Sequence, residues 1–196
     1  MKKFNFTLCV FLLLSLFVSC ERPDYSDEIY DTYREAERLS TSGAIIDGNM
    51  WSARSENEMS FTKAEDYCHY LTELGYNDWR LPTIDELRTL IKECQQTKKG
   101  GSCGFTDECL LKLIDIDNDY DYYFTCDEES NCRCDRRYSY YDESSYSKLG
   151  DWTNIWSSIP TKYHGDEAWY VDFGNGGIYS SENYYYSETC HVRCVR

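Results

Sequence analysis

The spacing of apolar positions changes repeatedly along this chain, and each change marks an element. Ala44-Ile45-Ile46 and Met50-Trp51-Ser52 flank Asp47-Gly48-Asn49, a hairpin turn signal between two short strands. Phe61, Ala64, Cys68 and Leu71 then recur at helical spacing behind the capping residue Ser60. A helix is expected from Ser60 to about Leu74, with Gly75 ending it. The stretch Asp78–Ile91 is the most informative in the chain. Pro82 blocks helix before it and holds Leu81 extended. Thr83 is an N-cap, and Glu86 three residues on completes a capping box. Asp85 and Glu86 also sit at the positive end of the helix dipole. Ile84, Leu87, Leu90 and Ile91 follow as one apolar stripe. An extended entry carrying Trp79 and Leu81 therefore turns into a short amphipathic helix whose role is scaffold.

The helical pattern breaks over Cys94–Arg137. This stretch has few aliphatics outside Leu110–Ile116, a Gly100-Gly101 pair and six cysteines. It reads as an insertion, about 94–148, held by local disulfides in place of a core. Tyr138–Tyr146 is polar, tyrosine-rich and expected to be loop. Strand character resumes at Trp152–Ser158. Ala168–Phe173 alternates and runs into the turn Gly174-Asn175-Gly176-Gly177, from which Ile178-Tyr179-Ser180 returns. Thr189–Arg196 is expected to be a last strand, with Cys190, Val192 and Cys194 on one face and His191, Arg193 and Val195 on the other. Two helices followed by mostly antiparallel strands make an α+β domain over 43–196.

The first residues change the picture of where this domain works. Lys2 and Lys3 precede an apolar run, Leu8–Val18, too short to span a membrane as a stable helix. Leu16-Phe17-Val18-Ser19-Cys20 resembles a bacterial lipobox. It implies a signal peptide over 1–19 and lipidation of Cys20. Residues 20–42 are acidic and polar and read as a tether. Loss of Lys2 and Lys3 takes the net charge from −15 to −17. A chain this acidic repels nucleic acid, so membrane contact is expected through the lipid alone. Of 11 cysteines, Cys9 leaves with the leader and Cys20 takes lipid, which leaves nine. In an exported chain these read as disulfides, with one cysteine over. The competing reading, a zinc site at Cys126, Cys132 and Cys134, fits poorly because C-x-C is not the usual ligand spacing.

The blocks Gly48-Asn49-Met50-Trp51, Ser60-Phe61 with Tyr67-Cys68, Asp78-Trp79-Arg80-Leu81-Pro82-Thr83 with Glu86-Leu87, Trp156-Ser157-Ser158, Ala168–Phe173 and Val192–Arg196 occur in order. Together they resemble the DUF1566 family, the Lcl C-terminal domain, and are similar to the Fibrobacter succinogenes major paralogous domain. The resemblance implies a C-type lectin-like fold on bacterial exported proteins, with a long variable loop on a disulfide-tied base. It also implies a disulfide between Cys68 on the first helix and Cys194 on the last strand. The pairing of Cys94, Cys103, Cys109, Cys126, Cys132, Cys134 and Cys190 stays open. Cys94, Cys103 and Cys109 are expected to include one short-range bridge, and Cys132 and Cys134 are too close to bridge each other.

Candidate chemistry is sparse. The calcium and sugar motifs of C-type lectins are absent. Asp115, Asp117, Asp119 and Asp121 resemble the start of a calcium loop, but Tyr120 stands where glycine is needed and Cys126 where glutamate is needed. His69, His164 and His191 are scattered, and no nucleophile–base set is indicated. The fold also hosts formylglycine-generating enzymes, but no matching cysteine motif is present. The 19 tyrosines include Tyr138, Tyr140 and Tyr141, which suit a recognition loop. The expectation is a lipid-anchored, non-enzymatic envelope module for binding or adhesion, with a polysaccharide or protein ligand contacted through Asp115–Tyr146. The alternatives are a structural envelope lipoprotein without a ligand and, third, an enzyme of the same fold.

Overall fold

The computed structural model describes residues 34, 42–115, 126, 132–134, 145–161, 166–181 and 188–196. The unit Glu35–Arg196 holds all the elements given below. They run β1 (Ala44–Ile46), β2 (Asn49–Trp51), α1 (Phe61–Tyr70), α2 (Ile84–Leu90), α3 (Asp107–Asp115), β3 (Asn154–Pro160), β4 (Ala168–Asp172) and β5 (Gly177–Ser180).

The β1–β2 hairpin turns on two residues with positive φ, Asp47 at 49° and Gly48 at 87°. That pair of left-handed residues matches the twist of the flanking strands. Helix α1 buries Phe61, Ala64 and Cys68 but stops at Tyr70, four residues short of the expected end. Leu71 turns extended, and Leu74 and Gly75 both take positive φ. Glu73 and Tyr76 exchange backbone hydrogen bonds at 3.1 and 2.9 Å around them. Gly75 thus makes a second tight turn, not a helix cap. Helix α2 opens on the capping box: Glu86 N–H donates to Thr83 Oγ1, and Thr83 N–H donates to the Glu86 carboxylate at 2.8 Å.

Strands β3, β4 and β5 form an antiparallel sheet in that order. Trp156 pairs with Tyr170 and Val171 with Ile178, and a bulge falls between Trp156 and Pro160. The buried hydroxyl of Ser157 fills that bulge. It donates to Trp169 O at 2.7 Å and accepts from Ile159 N–H at 3.2 Å. β4 is buried on four successive residues because the sheet is covered on both faces. Trp169, Val171 and Ile155 face one apolar cluster, with the stripe of α2 and Leu110 and Leu113 of α3. Tyr170, Ala168 and Trp156 face the other, with α1, Trp79 and Leu81.

Helix α3 was not expected. Thr106 caps it by accepting from Cys109 N–H at 3.2 Å. Its apolar side places Leu110, Leu113 and Cys109 in the same cluster as Trp51 and Ile84, and Cys103, just before the helix, joins them. The described part of the cysteine-rich stretch is therefore part of the main core, not an annex without one. None of Cys94, Cys103 and Cys109 pairs with another of the three. The bonds are Cys94–Cys134, Cys103–Cys132 and Cys109–Cys126, the last closing the shortest span, 17 residues. Cys126, Cys132 and Cys134 are thereby all engaged as disulfides, which removes the zinc reading. Cys68 is joined to Cys194 across 126 residues, and Cys190 is a buried free thiol.

The expected last strand is an extended segment fixed by single bridges, not a regular strand. Met50 and Arg196 exchange backbone bonds, both at 3.0 Å, and Cys190 and Met59 exchange a pair at 3.1 and 2.9 Å. On its other edge the segment meets Arg80 through Val195, and Asn154 and Trp156 through His191. Enclosed on both sides, it has no outward face at Arg193, which is fully buried.

Candidate functional site

The tyrosines Tyr138, Tyr140 and Tyr141 lie outside the described residues, as do Cys20, Asp117, Asp119 and Asp121. Asp115 closes α3, and its side chain is likewise outside them. Tyr146, grouped by sequence with the loop tyrosines, is buried. Its ring lies against Gly176, where a Cβ would come within 3.1 Å of it. Gly176 has φ +66°, so glycine is required there both for conformation and for space. Cys68 and Cys194 are both in the core beside α1.

What the structure describes in detail is the base on which the insertion stands. Arg88 projects from α2 into it and is 2% exposed. Its Nε donates to Thr97 O at 2.9 Å, and its terminal nitrogens donate to the carbonyls of Phe105, Lys98 and Cys103 at 3.1–3.3 Å. One side chain thus gathers four backbone acceptors across the segment 97–105. Burial lowers the guanidinium pKa, and Asp85 and Asp107 oppose the shift. Those two carboxylates are tied to each other's helices: Asp85 N–H donates to Asp107 at 3.0 Å, and Asp107 N–H to Asp85 at 3.2 Å. Thr97 Oγ1 donates to Gly176 O at 2.6 Å. Cys134 N–H reaches Asn175 O and Ile178 N–H reaches Cys132 O, so 132–134 lies along β5. The roots of the insertion are held by three disulfides, one buried arginine and a backbone ladder. Sequence reasoning missed Arg88, because a charged residue on an amphipathic helix reads as solvated. The four carbonyls that hold it are not local to it.

A second arginine was also missed. Arg193 Nε and one terminal nitrogen donate to Asp151, both at 2.8 Å, and the other terminal nitrogen donates to Ser52 O at 2.7 Å. Both side chains are fully buried. Ser147 Oγ donates to the same carboxylate at 3.0 Å.

Several other charged groups are also spent on structure. Arg80 makes a two-pronged bond to Glu86 at 2.6 and 2.7 Å. Burial raises the Glu86 carboxyl, but the Arg80 bond and the Thr83 N–H outweigh it and hold the pKa below its ordinary value. Arg196 grips Asp78 at 2.7 and 3.1 Å and lies 3.5 Å from the centre of the Tyr76 ring. Burial, reinforced by Glu188, pushes both the Cys190 thiol and the Tyr170 phenol up, so neither is an anion at neutral pH. His69 is exposed on α1, and His191 Nδ1 lies 3.0 Å from Ser55 O. Among the described residues no group of three His, Cys, Asp or Glu side chains is placed to hold a metal. No described helix is long and apolar enough to cross a membrane.

Concave surface is found along α1. An open groove of about 750 Å³ is lined by Glu65, Asp66, His69, Tyr70, Arg80 and Thr83, with Trp79, Leu81 and Ser158 beneath. A smaller one of about 460 Å³ continues past Tyr70 to Lys63, Tyr67 and Met59.

The clasp between Asp78–Glu86 and the C-terminal segment unites the sequence blocks singled out above. The family model of the Lcl C-terminal domain matches residues 45–196. The chain belongs to the Lcl C-terminal domain family. The match begins one residue into β1 and ends on Arg196, which β2 holds by its backbone. An Lcl C-terminal domain in this chain is therefore closed at its own ends. Comparison with curated proteins and with solved structures finds no match.

Proposed function

We propose that this Lcl C-terminal domain is a non-enzymatic binding module of the bacterial cell envelope, carried on an acidic tether and anchored by lipid at Cys20. The observation that carries the reading is the fastening of the insertion. Three disulfides join its two limbs to each other, Arg88 ties 97–105 to α2, and the 132–134 backbone is bonded to the chain at Asn175 and Ile178. Variable chain hung from fixed roots loses little entropy when it closes on a ligand, which suits recognition. The arginines and carboxylates of the core are spent on structural contacts, which leaves them little part in turnover. The helix-to-terminus disulfide and the doubly covered sheet support a variant of the C-type lectin-like fold, with the Fibrobacter succinogenes major paralogous domain as a relative.

The test has two arms. Glycan and protein arrays probed with the chain, with and without calcium, should give a ligand. Replacing Tyr138, Tyr140 and Tyr141 with alanine should abolish that signal and leave the melting temperature unchanged. A calcium requirement would point to Asp115, Asp117, Asp119 and Asp121. Silence on every array, with loss of envelope integrity on deletion of the chain, would favour a structural lipoprotein. Cys20→Ala should release the protein from membranes or leave it unprocessed. Palmitate labelling of that variant at the wild-type level would refute the anchor.

A further inference from the structure

We infer that the groove along α1 binds an extended polypeptide segment through its lysine or arginine side chains. The inference goes beyond the insertion and does not depend on the insertion having a ligand.

Tyr70 is the centre of the argument. It is 76% exposed at the last turn of a helix whose burial is carried by Phe61, Ala64 and Cys68. The ring contributes nothing to the core and instead forms a ridge that lines both depressions. The imidazole of His69 stands edge-on to it, with centroids 4.8 Å apart. Trp79 and Leu81, nearly buried, supply an apolar floor. An aromatic face kept in water beside an apolar floor is suited to a flat or cationic group.

Charge selects between them. Glu65 and Asp66 line the larger groove, and both are exposed. Neither carboxylate has a hydrogen-bond or ion-pair partner among the described residues. The cation on the opposite wall, Arg80, is neutralised by its two-pronged bond to Glu86. The larger groove therefore offers two carboxylates without a bonded partner among the described residues next to a π face. Lys63 shares the smaller depression with Asp66 and does not line the larger groove, where Glu65 stands with His69, so the basic side chain belongs at the Glu65–His69 end. A net charge of −15 draws basic partners in and keeps anionic polymers out. Two depressions separated by one ring need a ligand long enough to cross Tyr70, and a peptide with spaced basic side chains does so.

The probe is fluorescein-labelled octalysine, titrated with the full chain in detergent and read by fluorescence anisotropy. Binding should be measurable below about 100 μM at low salt and weaken steeply as salt rises. Glu65→Gln with Asp66→Asn should weaken it roughly tenfold. Tyr70→Ala should weaken it about fivefold, and Tyr70→Phe, which keeps the ring, should restore it. The charge-matched control Glu56→Gln with Glu93→Gln, both exposed and outside the groove, should change it less than twofold. All these side chains are exposed, so melting temperatures should stay together. Three results would each overturn the inference: no binding at millimolar peptide, equal loss in the control pair, or spermine competing as well as octalysine.

Discussion

Replacing Asp151 by asparagine keeps the size of the side chain and removes only its charge. In the native protein that charge is shared by two nitrogens of Arg193 at 2.8 Å, with both residues fully buried. The variant leaves a guanidinium inside the core with carbonyl partners at Ser52 and Ser42 but without the Asp151 carboxylate. Breaking a buried ion pair by removing one partner costs about 3–5 kcal/mol. A domain of this size has roughly 5–15 kcal/mol in all, so Asp151→Asn takes away a large share. At about 2–4 °C per kcal/mol, the melting temperature should fall by roughly 6–20 °C. Arg193→Met strands the carboxylate in the same way and should cost a similar amount. The double variant, Asp151→Leu with Arg193→Met, should cost less than the two singles added. It removes both charges and leaves chiefly Ser52 O without its donor, worth about 1–3 kcal/mol. Thermal unfolding followed by circular dichroism, with a double-mutant cycle, reads all three. A loss under about 1 kcal/mol for Asp151→Asn, or a double variant as poor as the sum, would refute the reasoning.

Three further outcomes are expected. Removing the bond between Cys68 and Cys194 by a double serine substitution frees a loop of 126 residues, and chain entropy predicts a loss of about 5 kcal/mol in denaturant unfolding. Glu86→Ala should cost about 1–2 kcal/mol at pH 7, through the capping box and Arg80. The folded pKa of Glu86 lies below its ordinary value, so its contribution is complete above the carboxylate range and is lost as pH falls. The gap to wild type should therefore narrow as pH falls through and below the ordinary carboxylate range, and a gap that widened in acid would reverse the sign. Iodoacetamide should leave Cys190 unmodified in the native chain and alkylate it once the protein is unfolded without reductant, as peptide mapping would show.

Local devices were legible in the sequence, and enclosed ones were not. The turn at Asp47-Gly48 and the capping box at Thr83 and Glu86 are set by residues within four positions of each other, and both stand as read. Helix α3 carried the same kind of signal: Thr106 as cap, Asp107 and Glu108 in the first turn, then Leu110, Leu113 and Ile114. It was obscured because its cysteines drew the whole stretch into a loop reading. Arg88 and Arg193 gave no local sign. Each is buried by chain that arrives from elsewhere, 97–105 for one and Asp151 with Ser52 for the other. The alternation of 190–196 predicted one solvated face and failed for the same reason. Alternation describes one strand, and the second covering layer belongs to other parts of the chain.

The contacts of the Asp78–Glu86 block explain why it says so little about a ligand. Asp78 holds Arg196, Arg80 exchanges backbone bonds with Val195 and its side chain grips Glu86, and Trp79 and Leu81 pack in the cluster that contains Cys194. Trp79 and Leu81 are therefore buried, and the exposed Asp78 and Arg80 turn their charges to Arg196 and Glu86. Residues engaged on both backbone and side chain within the fold have less to offer a partner, so these positions report chiefly closure of the fold. Recognition has to use what closure leaves over. In this chain that is the segment rooted by Arg88 and the disulfides, and the outer wall of α1, where Tyr70, Glu65 and Asp66 have no internal duty. The two surfaces are built from different elements. Substitutions on one should leave binding at the other unchanged, and any coupling between them would have to pass through a core that both share.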